Sequence, residues 1–247
     1  TYGADGSSGD VAVDAKNDPN FTVTPRYWVD AAEVEARLTA KGWTRGWLMG
    51  WRDICRSTDA RTVIASVVPR VGLGHKMPLM FCAAASSVFH VAALYSNLNA
   101  LTLDYVARQK IGGTSLTYFY LKQFPILPPD CYSESDLAFI VPRVLELTYT
   151  AHDLAPWAAD LGHAGPPFAW DPARRAVLRA ELDAYYARLY GLTRDELRYI
   201  LDPADVMGAD YPSETFRVLK NNETREHGEY RTRRLVLEAW DALHNAG

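Results

Sequence analysis

The sequence predicts a mixed α+β chain, with a strand-rich unit over residues 21–129 followed by a helical region over 130–247. Three observations support this. Short β-rich runs separated by Gly/Pro or charged segments lie between residues 47 and 82. Apolar residues recur at helical spacing, with cap signals, after residue 170. The charge also changes sign along the chain. Of 247 residues, 48% are hydrophobic and 23% charged, a globular composition that excludes disorder over most of the chain and suffices for one larger domain or two smaller ones. No run approaches the ~18–20 apolar residues of a transmembrane helix, and no basic-then-apolar signal peptide opens the chain. Cys55, Cys82 and Cys131 are odd in number and far apart. They form neither a disulfide framework nor a C-x-x-C clip, which suits a reducing cytoplasm.

Residues 1–20 are rich in Gly, Ser, Asp and Asn and read as a flexible entry segment. Its start, Thr1 to Asp10 without an initiator Met, reads as cut from a longer protein. Asp30 with Glu33 forms a capping-box pattern that opens a helix to Ala40, stopped by Gly42. Trp47–Trp51, Thr62–Val68 and Pro78–Cys82 read as strands, with turn chemistry at Pro69 and Gly72-Leu73-Gly74. Ser87–Tyr95 and Leu98–Gln109 are helical, broken near Ser96-Asn97, and Gly112-Gly113 turns the chain. Thr114–Leu121, rich in Thr and aromatics, suits a strand, and Pro125, Pro128 and Pro129 close the unit in extended chain. Asp171 caps a helix with Pro172 at its first position and Gly191 at its end. Thr193 and Glu196 make a capping box opening Asp195–Leu201, and further helices cover Ser213–His227, before Gly228, and Leu235–Leu243.

The net charge of −4 is unevenly spread. Residues 1–40 hold 3 Lys/Arg against 7 Asp/Glu, residues 41–125 hold 10 against 3, and residues 126–247 hold 13 against 20, so −4 + 7 − 7 = −4. An acidic chain argues against nucleic acid, but phosphate binding needs only one basic face, which the middle segment can supply.

Most catalytic signatures are missing. The six histidines (75, 90, 152, 163, 227, 244) show no H-x-x-x-H or H-E-x-x-H spacing, Gly72-Leu73-Gly74-His75-Lys76 lacks the phosphate-loop frame, and no G-x-S-x-G elbow occurs. Asp14-Ala15-Lys16 resembles the carboxylate–x–Lys tail of a nuclease metal site, but a Gly/Ser/Asp loop gives it no strand to stand on. Methyl transfer to a base amine needs a Gly-rich S-adenosylmethionine loop and an Asn/Asp-Pro-Pro-aromatic segment. Gly165-Pro166-Pro167-Phe168 and Pro128-Pro129-Asp130 place no amide or carboxylate before the Pro-Pro pair. The residues thus point to a recognition or assembly module, with no catalytic, cofactor or metal residues of its own.

Three stretches carry a family likeness. They are Trp51-Arg52-Asp53-Ile54-Cys55-Arg56 through Ala65; Asn97-Leu98-Asn99-Ala100 through Lys110-Ile111-Gly112-Gly113-Thr114 to Pro128; and Leu189-Tyr190-Gly191-Leu192-Thr193 with His227-Gly228-Glu229-Tyr230-Arg231-Thr232. In this order, over residues 43–243, they resemble the C-terminal specificity region of type IIG-like restriction–modification and phage-defence N6-adenine DNA methyltransferases. The resemblance implies a target-recognition domain over 21–129 that clasps double-stranded DNA, and a helical extension. It further implies an N-terminal methyltransferase domain of the same bacterial parent chain, where S-adenosylmethionine binds. A helicase or nuclease partner docked by the acidic helical half is the rival expectation, with DNA contact then incidental.

Sequence readout needs Arg or Lys on guanine edges and Asn or Gln on adenine, with phosphate contacts fixing register. The DNA-binding candidates are Arg52, Arg56, Arg70, His75, Lys76, Arg108, Lys110, Gly112, Gly113, Thr114 and Lys122. Plainer roles stay open for several residues. Arg52 and Arg61 can pair with Asp53 or Asp59, Gly112-Gly113 can simply turn the chain, and Tyr118-Phe119-Tyr120 can be core in place of a stacking platform. The Gly72–Lys76 loop is expected to project from the sheet as a groove-reading finger.

Overall fold

The computed structural model describes residues 1–3, 6–83 and 86–245. The chain is mixed α+β but mostly helical, so its first half is not strand-rich as the sequence suggested. In chain order the elements are α1 (Val13–Asn17), α2 (Ala31–Ala40), β1 (Trp47–Trp51), β2 (Ala65–Pro69), β3 (Leu79–Met80), α3 (Val88–Asn99), α4 (Leu101–Lys110), α5 (Tyr118–Leu121), α6 (Glu134–Thr148), α7 (Ala155–Asp160), α8 (Pro172–Leu189), α9 (Arg194–Leu201), α10 (Ala204–Met207), α11 (Arg217–His227) and α12 (Arg231–Asn245). Short 3-10 turns cover Pro129–Cys131 and His152–Leu154.

The three strands form one antiparallel sheet in the order β2-β1-β3. Trp47 pairs with Pro69, Trp51 with Ala65, and Gly50 with Leu79. All five β1 residues are buried, as befits a central strand covered on both faces. Gly50 permits this closeness, because a Cβ there would lie 2.3 Å from the Pro78 carbonyl oxygen.

Pro78–Cys82 shortens to the two residues of β3, and two other expected strands are cut back for identifiable reasons. Thr62 and Val63 are not in the ladder because the buried Asp104 carboxylate accepts from both of their amides, at 3.0 and 2.6 Å. In Thr114–Leu121 only Ser115 makes a β-bridge, to Ile54, before Thr117 leads into the single turn α5. There the Tyr118 ring packs edge-on against Trp51 at 4.7 Å and its hydroxyl donates to the Leu79 carbonyl. Tertiary contacts override a strand propensity.

The helix signals mostly hold. Asp30 caps α2 through the Ala32 amide, though without a full box, and Asp171 caps α8 through the Ala173 and Arg174 amides. Thr193 and Glu196 form the capping box of α9, and Gly191 and Gly228 take left-handed conformations just beyond their helices. The α3/α4 break falls at Ala100, because Asp183 accepts from the Leu101 amide at 2.7 Å and starts α4 afresh. The last two helices begin at Arg217 and Arg231.

One large apolar cluster runs from Leu38 to Tyr186 and crosses the expected junction at 129–130. At its centre Trp47 stands edge-on to Trp157, 4.7 Å between rings, and donates to Asp160. A smaller cluster gathers Leu101, Ala184, Leu197, Phe216 and Trp240. The entry segment is also less free than expected. Its described part contains α1, and it is tied across the chain by the Trp170 amide to Asn17 and the His152 amide to the Pro19 carbonyl. Ala4 and Asp5, within that expected loop, lie outside the described residues.

Candidate nucleic-acid interface

The expected DNA-binding residues divide into those the fold consumes and those it leaves at the surface. Arg70 is consumed. Its guanidinium grips Glu35 through two bonds of 2.7 and 2.8 Å and donates to the Trp43 and Arg45 carbonyls, locking α2 against β2. The Glu35 carboxyl is held below its ordinary pKa by this hydrogen bond. Arg108 is consumed more completely. It is buried, forms an ion pair with Asp104, and donates to the Ser57, Asp59, Ala60 and Thr215 carbonyls while its Cζ sits 4.5 Å from the Phe216 ring centre. Neither guanidinium is offered to a phosphate in this conformation.

Several of the other candidates lie on segments joined at Asp53, just beyond the end of β1. The Asp53 amide donates to the Lys76 carbonyl and its own carbonyl accepts from the Leu116 amide at 2.7 Å. Its carboxylate takes Lys76 Nζ at 2.9 Å and, more weakly, the Ser115 hydroxyl at 3.4 Å. Two residues on, the Cys55 amide donates to the Thr114 carbonyl. Three segments, 52–61, 72–78 and 111–117, are therefore stitched together at one place. In the sequence Asp53 reads only as a partner for neighbouring arginines; its role as a hub depends on contacts 23 and 62 residues away.

Around this hub, Arg52 pairs with Asp59 and the Arg61 carbonyl, the plainer role foreseen for it. Arg61 itself donates to the Asn99 carbonyl instead of to Asp53 or Asp59. Arg56, His75, Lys110 and Lys122 are exposed, and among the described residues no carboxylate pairs with any of them. Gly112, Gly113 and Thr114 are exposed too. A Cβ at either glycine would meet nothing within 4 Å and neither has a positive φ, so the turn itself does not demand glycine there.

The Gly72–Lys76 loop is tied down at both ends and so does not project as a free finger. Gly72 lies against Val29, where a Cβ would come within 2.4 Å of Cγ1, and Lys76 is held by Asp53, leaving Gly74 and His75 as the exposed tip. Of the aromatic run, Phe119 is 71% exposed, Tyr118 is half-exposed with its ring edge-on to Trp51, and Tyr120 packs against the core.

Among the described residues no helix is long and apolar enough to cross a membrane, and no group of three His, Cys, Asp or Glu is placed to hold a metal. Comparison with protein-family models, curated proteins and solved structures gives no match, so the residues and their geometry carry the functional reading.

Proposed function

We propose that this chain is a double-stranded DNA recognition module that works beside the adenine-N6 methyltransferase domain of a larger bacterial restriction–modification or defence protein in the cytoplasm. The parent domain would hold S-adenosylmethionine and perform the chemistry. The observation that carries the reading is the meeting of three loops on Asp53, whose segments carry Arg52, Arg56, His75, Lys76 and Thr114 at one end of a rigid sheet. Lys110 and Lys122 flank the 111–117 segment with uncompensated charge. Such cations displace counterions from a duplex backbone, while Arg56 and His75, exposed and unpaired, are the side chains positioned for base edges. The bare Gly112 and Gly113 amides suit a phosphate beside Lys110. Recognition groups borne on loops above a fixed scaffold are the usual arrangement.

A docking module is the second reading. It is favoured by an apolar groove of about 700 Å³ between α2 and residues 71–74, rimmed by Trp28, 81% exposed, and Tyr27, 77% exposed. A helicase or nuclease of the same system is the partner that reading requires.

Duplex binding measured by fluorescence anisotropy across a salt series separates the two. A steep linear fall of log affinity with log salt, flattened by about one unit each in Lys110→Ala and Lys122→Ala, supports DNA recognition. Absence of binding at low salt leaves docking.

A further inference from the structure

A cavity of about 350 Å³ opens between the end of the 52–61 loop, β2, α3 and α8, and three guanidinium groups line it: Arg61, Arg175 and Arg179. Arg175 Nε and Nη1 are buried and have no hydrogen-bond partner. The group is held by stacking instead, its Cζ 3.7 Å from the centre of the Trp170 ring, which fixes the guanidinium plane without using its N–H donors. Arg179 uses Nε on the Arg175 carbonyl at 3.2 Å, and Arg61 donates to the Asn99 carbonyl. Burial, then repulsion from the neighbouring Arg179, lowers the pKa of Arg175 to about 10.

The carboxylates facing this cavity do not answer those donors. Asp183 accepts from the Leu101 amide, and both Glu223 oxygens are taken by the amide and hydroxyl of Thr232. Buried charged donors left without acceptors are costly, and a planar fork of N–H groups fits a tetrahedral oxyanion. Leu147, Leu182 and Tyr95 give the rest of the wall an apolar surface suited to an organic remainder. The volume lies in the range of small-molecule sites.

We propose that this cavity binds the phosphate of a phosphomonoester of about mononucleotide size, with Arg61, Arg175 and Arg179 as its anion ligands. The inference does not rest on the DNA reading: Arg175 and Arg179 lie on α8, outside the loops on Asp53, and Arg61, at the end of the 52–61 segment, is not among the residues proposed to contact DNA.

The test uses the whole chain in calorimetric titration and thermal melting with adenosine 5′-monophosphate, adenosine, inorganic phosphate and a short 5′-phosphorylated oligonucleotide. Saturable binding of the monophosphate but not of adenosine is expected, weakened at least ~10-fold by Arg179→Gln and by Arg61→Gln. Arg175→Ala uncovers Trp170, so circular dichroism checks its folding; if it does not fold, Arg179→Gln, at a solvent-accessible position on α8, decides. Arginine-dependent binding of the oligonucleotide alone keeps the phosphate site and assigns its source to a nucleic-acid end. No binding of any phosphate compound, or binding indifferent to both glutamine variants, overturns the proposal. Duplex affinity read on the same preparations keeps the two readings apart, since either binding can fail while the other persists.

Discussion

Lys76 Nζ sits 2.9 Å from Asp53 Oδ2, and the pair joins a half-exposed cation to a carboxylate only 11% exposed. The buried partner is thus the anion, and it neutralises one of the positive charges that the loops bring to this end of the sheet. Asp53→Asn should release Lys76 and add one net positive charge. If these loops contact DNA, affinity for random duplex rises several-fold and the salt slope steepens by about one unit. Unchanged anisotropy curves would place Lys76 outside the interface.

Gly113→Ala tests the bare amides. Nothing lies within 4 Å of the added Cβ and φ is not positive, so melting temperature should hold or rise slightly, corresponding to at most ~1 kcal/mol from reduced unfolded-state freedom. A phosphate seated on the amide would nevertheless be displaced, and duplex affinity should fall several-fold. A stable variant with full affinity would reduce Gly112-Gly113 to a connector.

Arg108→Ala should damage the fold directly. It leaves Asp104 buried with uncompensated charge and strips four carbonyls of their donor. Breaking a buried pair from one side costs ~3–5 kcal/mol. Urea denaturation should show that loss as a lower midpoint, whereas Lys122→Ala, at an exposed site, should stay within ~0.5 kcal/mol.

Asp183 predicts a pH signature. Burial, opposed by Arg61, the Leu101 amide and Arg179, raises its pKa to about 6 from 3.8. A carboxyl raised in the folded state contributes stability in full below its unfolded pKa and loses that contribution as pH rises through about 6. Relative to the unsubstituted protein, Asp183→Asn should gain up to ~3 kcal/mol at pH 8 and only ~0.5 kcal/mol at pH 4, because the amide still accepts from Leu101 and never ionises. Urea midpoints for both proteins at the two pH values check this, and a difference independent of pH would show that Asp183 titrates normally.

What the sequence made legible was local. The caps at Asp30, Asp171 and Thr193 and the stop at Gly191 lie within a few residues of the helices they bound, so their chemistry is visible in the string itself. β1 was readable for the same reason: its apolar run is short and bounded by turn residues. Helix α6 is harder to read, although Ser133 and Asp136 form a complete capping box, because Pro142 interrupts the pattern from within. The fate of Thr62, Val63 and Thr114–Leu121 was set by Asp104 and Trp51, which are distant in sequence. The site divides along the same line. Exposed lysines could be guessed from charge, whereas the loss of Arg70 and Arg108 to structural bonds and the gathering of Arg61 with Arg175 and Arg179 depend on chain segments that only folding brings together.

The apolar cluster that crosses position 129–130 makes the chain indivisible for engineering. Trp47 on β1 is covered by Trp157 from α7, and Tyr186 on α8 reaches the Ala93 carbonyl of α3. Cutting at the junction would strip indole and phenol faces from both pieces, so a piece excised at residue 129 should be a poor graft. Exchange between related proteins would have to carry the helical half along with the loops, and the two halves should have to co-vary as one inherited unit.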